Sequence, residues 1–356
     1  MLRKLVLHIL LLPASLIYGG LVSVRNLLYD AGILKSSRFS VPVISIGNLT
    51  IGGAGKSPHI EWLTTMLKDY INVAILSRGY KRQTKGFRLV QTSDTASDCG
   101  DEPLQFKRKF ADDVVVAVSE SRAYGIPMVI RHYSDTQVIL LDDAFQHREV
   151  HPDLNILLTD YRHLYTDDFI LPAGRLREWP SASHRADIIV VSKCPDNLSV
   201  EIKENVLKKL NPREHQKVFF SYYQYDYPYS LFNSGYRISL DTELDVILLS
   251  SIANTEYLLE YLERQVGSIH QIEFTDHHQY SKSDMEFISK VWQNRDTVRK
   301  IILTTEKDAT RLEPFRDLLQ EWRIAVFVLP VRVAFHFNEE QKLSDLVKQF
   351  LLEFRS

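Results

Sequence analysis

The sequence predicts an α/β fold: a mostly parallel sheet flanked by helices, a second, smaller α/β lobe after it, and an apolar N-terminal helix that associates with a membrane. Three observations lead there. Short, continuously apolar runs recur from Val41 onward, stretches with apolar residues at helical spacing separate them, and the first run ends in a glycine turn followed by Lys56 and Ser57. Runs without alternation are the signature of strands covered on both faces, as parallel sheets are. With 356 residues, 45% apolar and 25% charged, the chain has an ordinary globular composition and enough length for one large or two medium domains.

The first element, residues 1–35, is the compositional exception. "LVLHILLLPASLIYGGLV" (Leu5 to Val22) carries almost no charge and follows Arg3 and Lys4. A cleaved signal peptide would end in a small-residue site, whereas this stretch runs on apolar and basic. A spanning helix needs roughly 20 apolar residues, and His8, Pro13, Ser15 and the Gly19-Gly20 pair interrupt the run. An anchor lying in the membrane plane fits better, with Arg3, Lys4 and Arg25 near anionic head groups. A helix packed on its own domain shares the pattern.

Residues 36–218 read as the nucleotide-binding domain. "VPVISIG", "NVAILS", "VVVAVS", "QVILLDD", "LNILLTD" and "ADIIVVSK" are its strands, and "SPHIEWLTTMLKDY" and "ESRAYGIPMVIRHY" are among its helices. Residues 219–240, opening "FFSYYQYDYPYSLFNSGY", read as an aromatic ribbon between lobes, a half-buried antiparallel strand with a Tyr-rich face. Residues 241–356 form the smaller lobe, in which "LDVILLSS", "IHQIEF", "KIILTTE" and "IAVFVLP" alternate with helices.

The stretch "VISIGNLTIGGAGKSPHIEWL" is a strand, a turn and a helix start, the context of a P-loop NTPase. Gly52, Gly53 and Gly55 let backbone N–H groups approach phosphate oxygens, and the helix N-terminus adds partial positive charge. Lys56 reaches the β and γ phosphates and Ser57 ligates Mg²⁺. Pro58 stands in the first turn, where it is tolerated. The strict pattern wants glycine where Thr50 stands, so the phosphate-binding stretch is taken as Thr50, Gly52, Gly53, Ala54, Gly55, Lys56 and Ser57.

Asp142 and Asp143 close the strand "QVILLDD", where an open α/β sheet presents groups to a metal. His147 and His151 read as surface histidines, since two without a third make no metal site. "LSRGYKR", "CGDEP" and "LPAGRLREW" supply Arg78, Asp101 and Arg177: the arginines can neutralise a phosphoryl group and the aspartate can accept a proton. Asp101 and Glu102 before Pro103 equally describe a helix N-cap. "FTDHHQY" has two readings as well, a polar turn after a strand or a site for acid-base or metal chemistry. The further aspartates of metal phosphoesterases with an Asp-His-His run are not apparent.

Taken in order, "GNLTIGGAGKSPHIEWL", "LSRGYKR", "GDEP", "LDDAFQHR", "LPAGRLRE", "FTDHHQY" and "TTEKDA" resemble the tetraacyldisaccharide 4'-kinases of Gram-negative lipid A synthesis, over nearly the whole chain. The resemblance implies transfer of the γ-phosphate of ATP to the 4'-hydroxyl of a tetraacylated glucosamine disaccharide 1-phosphate, at the cytoplasmic face of the inner membrane. It implies that Lys56 holds phosphate, that Ser57, Asp142 and Asp143 serve Mg²⁺ with Glu178 helping, and that Asp101 is the base. His277 would orient Asp101 across a closing cleft, and Arg78 and Arg177 would stabilise charge.

Five positions depart from that family's pattern: Ala54 for threonine, Ala144 for glycine, Trp179 for proline, and in "LSSIANTE" Ser251 and Thr255 for glycine and proline. The rival reading is a P-loop GTPase or ATPase acting as a switch or delivery factor. "TTEKDA" lacks the spacing of a guanine-reading tetrad, which favours ATP. A formal charge of −2 supplies no general field for nucleic acid, and no obligate protein partner is evident. Cys99 and Cys194 read as structural thiols of a reducing compartment.

Overall fold

The computed structural model describes residues 2–252 and 254–354 and, in the first helix, side chains from Leu10 onward. The Arg3 and Lys4 side chains expected at the head groups lie outside the described residues. The strands, in chain order, are β1 Val43–Asn48, β2 Val73–Ser77, β3 Arg88–Leu89, β4 Val115–Val118, β5 Val138–Asp142, β6 Leu154–Asp160, β7 Ile188–Ser192, β8 Lys217–Tyr225, β9 Tyr229–Ser230, β10 Asp245–Ser250, β11 Ser268–Glu273, β12 Lys300–Thr305, β13 Val326–Leu329 and β14 Val331–Phe335. The helices are α1 Leu2–Asp30, α2 Lys56–Leu67, α3 Ala96–Cys99, α4 Asp101–Phe110, α5 Arg122–His132, α6 Val200–Leu210, α7 Glu256–Leu262, α8 Lys282–Gln293, α9 Glu306–Leu312, α10 Arg316–Glu321 and α11 Glu340–Glu353.

A nine-stranded sheet runs β14-β8-β7-β6-β1-β5-β2-β4-β3, parallel except at its two edge strands, and a five-stranded sheet runs β11-β10-β12-β13-β9, parallel except at β9. β1 lies between β5 and β6, with Val43 beside Ile139 and Ile44 beside Leu154. Alternate residues of the large sheet feed opposite cores: Ile44, Ile75 and Leu140 meet Ile60 and Leu63 of α2, while Val43, Ala74 and Ile139 meet Ile126 and Val129 of α5. Both sets are buried, which explains why the strands show no polar alternation.

Two expected boundaries move. The aromatic stretch 219–240 is no separate ribbon: β8 is a strand of the large sheet, parallel to β7 and antiparallel to β14, and only β9 belongs to the small one. The small lobe does not run to residue 356, because β14 returns to the large sheet and Leu343 and Val347 of α11 are buried in its core. The chain therefore crosses between sheets twice, after Tyr225 and at Pro330. The crossings touch: the Asp226 N–H donates to the Pro330 carbonyl at 3.1 Å, and Arg332 pairs with the Asp226 carboxylate at 2.7 Å.

α1 packs one side against the large domain. Ser15 and Gly19 are buried; the Ser15 hydroxyl accepts from the Ala173 N–H at 2.8 Å, the Tyr18 hydroxyl donates to the Arg177 carbonyl at 3.0 Å, and Asn26 donates to Glu178 at 3.2 Å. The opposite side is apolar and bare, with Leu10, Leu16, Ile17, Leu21, Val24 and Leu27 between 56% and 70% exposed. The helix thus turns its polar face inward and its apolar face outward, the reverse of a soluble amphipathic helix. Over Leu10–Asp30 it is long and apolar enough to cross a membrane by length and composition.

Trp179 explains its own departure from the pattern. Its indole N–H donates to the Gly19 carbonyl at 3.2 Å, and a methyl on Gly19 would stand 2.4 Å from its ring, whereas one on Gly20 would meet open space. Gly19→Ala is expected to destabilise the docked helix by about 1–3 kcal/mol through overpacking, and Gly20→Ala to be neutral or stabilising by up to about 1 kcal/mol. Thermal unfolding with limited proteolysis of α1 checks this; equal behaviour of the two variants would refute the contact.

Candidate active site

The C-terminal ends of β1, β5 and β7 and those of β10 and β12 face a common cavity of about 840 Å³, of the size that holds small-molecule ligands. Its walls include Gly52 to Pro58, Arg78, Asp142, Asp143, Arg177 and Lys193 from the large domain, Tyr18, Val22 and Arg25 from α1, and Tyr257, His277 and Lys307 from the small lobe.

The glycine loop joins β1 to α2. Gly52 and Gly55 adopt positive φ, and a side chain on Gly55 would meet the Tyr223 hydroxyl at 2.5 Å, so glycine is required there. Lys56 donates to Asn48 Oδ1 at 3.2 Å and lies 3.5 Å from Asp143. Ser57 stands in the first turn of α2 on the cavity wall. Ala54 is buried, so its methyl belongs to the core. Thr50 is displaced from its expected role: it is not on the wall, and its hydroxyl accepts from Asn48 at 3.1 Å.

The aspartate pair divides its work. Asp142 ends β5 and accepts from the Ser77 hydroxyl at 2.9 Å; burial, with Glu102 and Asp143 nearby, pushes its pKa up to about 7. Asp143, at φ 47, faces Lys56 and receives Arg177 at 3.0 and 3.1 Å. Burial would raise it, but Lys56 and Arg177 hold it at about 2. Among the described residues no three histidine, cysteine or acidic side chains converge as a metal cage. Mg²⁺ does not demand one: it takes one or two carboxylates and fills its remaining positions with water and substrate phosphates. Asp142, Asp143 and Ser57 are oxygen donors of that kind on one wall, and the proton-retaining Asp142 is the group a cation would relieve.

Glu178 stands on the same wall: its Oε2 accepts from Arg185 at 2.6 Å and Asn26 at 3.2 Å, while its buried Oε1 has no hydrogen-bond partner among the described residues. Arg78 is exposed on the wall and has no charged partner among the described residues. His151 is exposed beside Arg38, but His147, expected at the surface, is half-buried on the wall, and burial pushes it to about 4.

The farthest-separated expectation meets in space. His277 Nδ1 lies 2.9 Å from Asp101 Oδ2, joining the small lobe to the start of α4. Asp101 is not the cap of α4, since Gly100 holds that position, and it is 3% exposed and off the cavity wall. Arg311 and Lys307 flank it, with Arg311 Nε at 3.1 Å and Lys307 Nζ at 3.8 Å. Burial works to raise the Asp101 pKa and is overridden by His277, Lys307 and Arg311, which hold it well below the carboxylate range. Enclosed and paired in this way, Asp101 meets the cavity through His277, which stands on the wall.

Sequence reasoning missed Arg311. It is buried between Asp101, Asp308 and the Ser251 hydroxyl, and it follows Asp308 by three residues on α9, a local spacing that signals a pair. Ser251, one of the departures, thereby has a use its glycine counterpart would lack. His278, by contrast, pairs with Asp284 at 3.0 Å in the capping box of α8 and leads away from the cavity.

Residues 7–352 match the family model LpxK, tetraacyldisaccharide-1-P 4'-kinase. The chain belongs to that family. A tetraacyldisaccharide 4'-kinase of Flavobacterium johnsoniae is 42% identical over 347 residues, covering 97% of both chains, and one of Bacteroides thetaiotaomicron is 40% identical over 98% of this chain and 94% of its own. A crystal structure of LpxK from Aquifex aeolicus in complex with ATP superposes with a TM-score of 0.72 at 30% identity, covering 97% of this chain and 99% of that one. The kinase family, not a nucleotide-driven switch, is what these likenesses favour.

The state of Asp142 yields a test. Its pKa rises from an ordinary 3.8 to about 7 on folding, so between those values the folded protein holds a proton that the unfolded chain releases, and stability is lost as pH rises through that window. In EDTA, the melting temperature of the wild type should fall more steeply from pH 5 to pH 8 than that of Asp142→Asn. Parallel profiles would contradict the raised pKa.

Proposed function

We propose that this protein transfers the γ-phosphate of ATP to the 4'-hydroxyl of a tetraacylated glucosamine disaccharide 1-phosphate, the kinase step of lipid A biosynthesis. The observation that carries the reading is that His277, in contact with Asp101, lines the same cavity as the phosphate loop, one cavity offering donor-binding and acceptor-activating groups together. Family membership supports the acceptor, and the ATP in the Aquifex aeolicus relative supports the donor.

In this reading the loop amides and Lys56 hold the β and γ phosphates. Ser57, Asp142 and Asp143 would hold Mg²⁺, which offsets phosphate charge when bound. Arg177 and the unpaired Arg78 stabilise charge that spreads over the transferred group. His277 Nδ1–H donates to Asp101, which leaves Nε2 of the neutral ring to accept the proton of the sugar hydroxyl. Asp101, kept ionised by Arg311 and Lys307, holds the ring in that tautomer and stabilises the imidazolium that forms. Lys307, 3.3 Å from His277 Nε2, stands where incoming phosphate charge would draw it off the ring.

The acceptor carries four acyl chains and stays in a bilayer. The bare apolar face of α1 serves as an anchor at the cytoplasmic face of the inner membrane, lying in the interface because its other face is occupied by the domain. Tyr18, Val22 and Arg25, on the same helix, reach the cavity wall, so the anchor and the active site share one element.

Purified protein with detergent, Mg²⁺, γ-labelled ATP and tetraacyldisaccharide 1-phosphate is expected to place label in the lipid, with the signal lost in Lys56→Ala. His277→Ala should lower turnover by about 10²- to 10⁴-fold, with rescue by added imidazoles that strengthens with their basicity. Phosphate released to water without labelled lipid would defeat the acceptor assignment; rescue indifferent to basicity would remove His277 as the proton acceptor.

A further inference from the structure

The glycines that let the phosphate loop approach its ligand also make its peptide planes easy to flip, and a flipped plane would aim a carbonyl oxygen at phosphate. Three successive loop carbonyls are each taken by a side chain. Lys193 Nζ donates to the Gly53 carbonyl, the Ser192 hydroxyl donates to the Ala54 carbonyl at 2.8 Å, and His59 Nδ1 lies 2.7 Å from the Gly55 carbonyl.

Each donor is itself held. Lys193 adopts positive φ at the end of β7 and pairs with Asp160 at 3.0 Å. Ser192 is fully buried at the last position of the same strand. His59 is 3% exposed, and its Nε2 lies 2.9 Å from the Ser221 hydroxyl. A carbonyl only accepts, so Nδ1 carries the hydrogen, and the neutral ring takes the Ser221 hydrogen at Nε2. Burial, which pushes His59 to about 4, agrees with that tautomer.

We propose that Ser192, Lys193 and His59 are positioning residues of the phosphate loop: by binding the carbonyls of Ala54, Gly53 and Gly55 they fix three consecutive peptide planes, of which the first also bonds within the loop through the Ala54 N–H to the Gly52 carbonyl at 3.1 Å, and leave the Gly55 and Lys56 amides to the nucleotide phosphates. The inference rests on the reading of this cavity as an ATP site. Its physical content is preorganisation, since a loop already fixed loses less freedom when the anion arrives. Lys193 also lies on the wall, where a direct phosphate contact is the competing account. Ser192, buried behind the loop, separates the two.

The test compares wild type, Ser192→Ala, Lys193→Met and Lys193→Arg in the lipid kinase assay, with adenosine as a competitive inhibitor. Losing one such hydrogen bond should raise the KM for ATP about five- to tenfold in Ser192→Ala, with kcat and adenosine inhibition within about twofold of wild type. Lys193→Met should behave likewise and Lys193→Arg should recover most of the loss. An unchanged KM in Ser192→Ala beside a large effect of Lys193→Met would overturn the proposal in favour of direct contact. Equal weakening of ATP and adenosine would overturn it as a general loss of structure. If Ser192→Ala does not fold, Ser192→Thr and Ser192→Cys replace it: threonine, which keeps the hydroxyl, should hold the wild-type KM and cysteine, a weak donor, should raise it, and equal KM values would overturn the proposal. A folded wild type that binds no ATP would defeat the functional reading rather than this one.

Discussion

Asp101 is a buried charge at the junction of two lobes, and much of the active site follows from the need to pair it. Taking a carboxylate out of water costs several kcal/mol unless counter-charges and hydrogen bonds replace the solvent. Its own domain supplies one hydrogen bond, from the Glu102 N–H at 3.1 Å, and no counter-charge among the described residues. His277, Lys307 and Arg311 all arrive from the small lobe, and Arg311, itself enclosed, is balanced in turn by Asp308 and Ser251. A second junction repeats the logic: Lys109 of α4 lies 2.5 Å from Glu61 of α2 and 3.1 Å from Glu306 of α9. The contacts that pair the buried charge are therefore the same ones that hold His277 against it across the lobes.

The parts legible in the sequence were those carried by local pattern. Continuous apolar runs gave the parallel strands, and the glycine turn between strand and helix gave the phosphate loop. What spans long distances was not legible that way. Asp101 and His277 are 176 residues apart, and no periodicity reports such a contact; the resemblance implied the pair, and the fold brings the two side chains together. The run Val331 to Phe335 reads as a strand, but nothing in it says that it pairs with β8 across a lobe boundary. That Glu178 shares its carboxylate with Asn26 of α1, 152 residues away, is likewise set by the docking of that helix. Ser192 and His59 look like ordinary strand-end and first-turn residues, since their role lies in which carbonyl they meet.

α1 solves two problems with one helix. A helix that buried its apolar face would leave nothing for lipid, and one that buried neither face would be held only by its chain. Small and polar residues on the inner side allow close approach to Trp179 and the 173–179 segment, while the outer side keeps its aliphatic surface. The departure to tryptophan at position 179 is part of that contact.

The paired crossings at Asp226 and Pro330 limit how the lobes can move. A body hung from another by one length of chain can swivel as well as tilt. Hung from two that are bonded side by side, it loses most of its torsional freedom and keeps chiefly the tilt that widens the cleft. A tilt of one lobe against the other would then follow nearly one arc, and His277 would meet Asp101 at a repeatable angle set by the suspension as much as by the residues that touch.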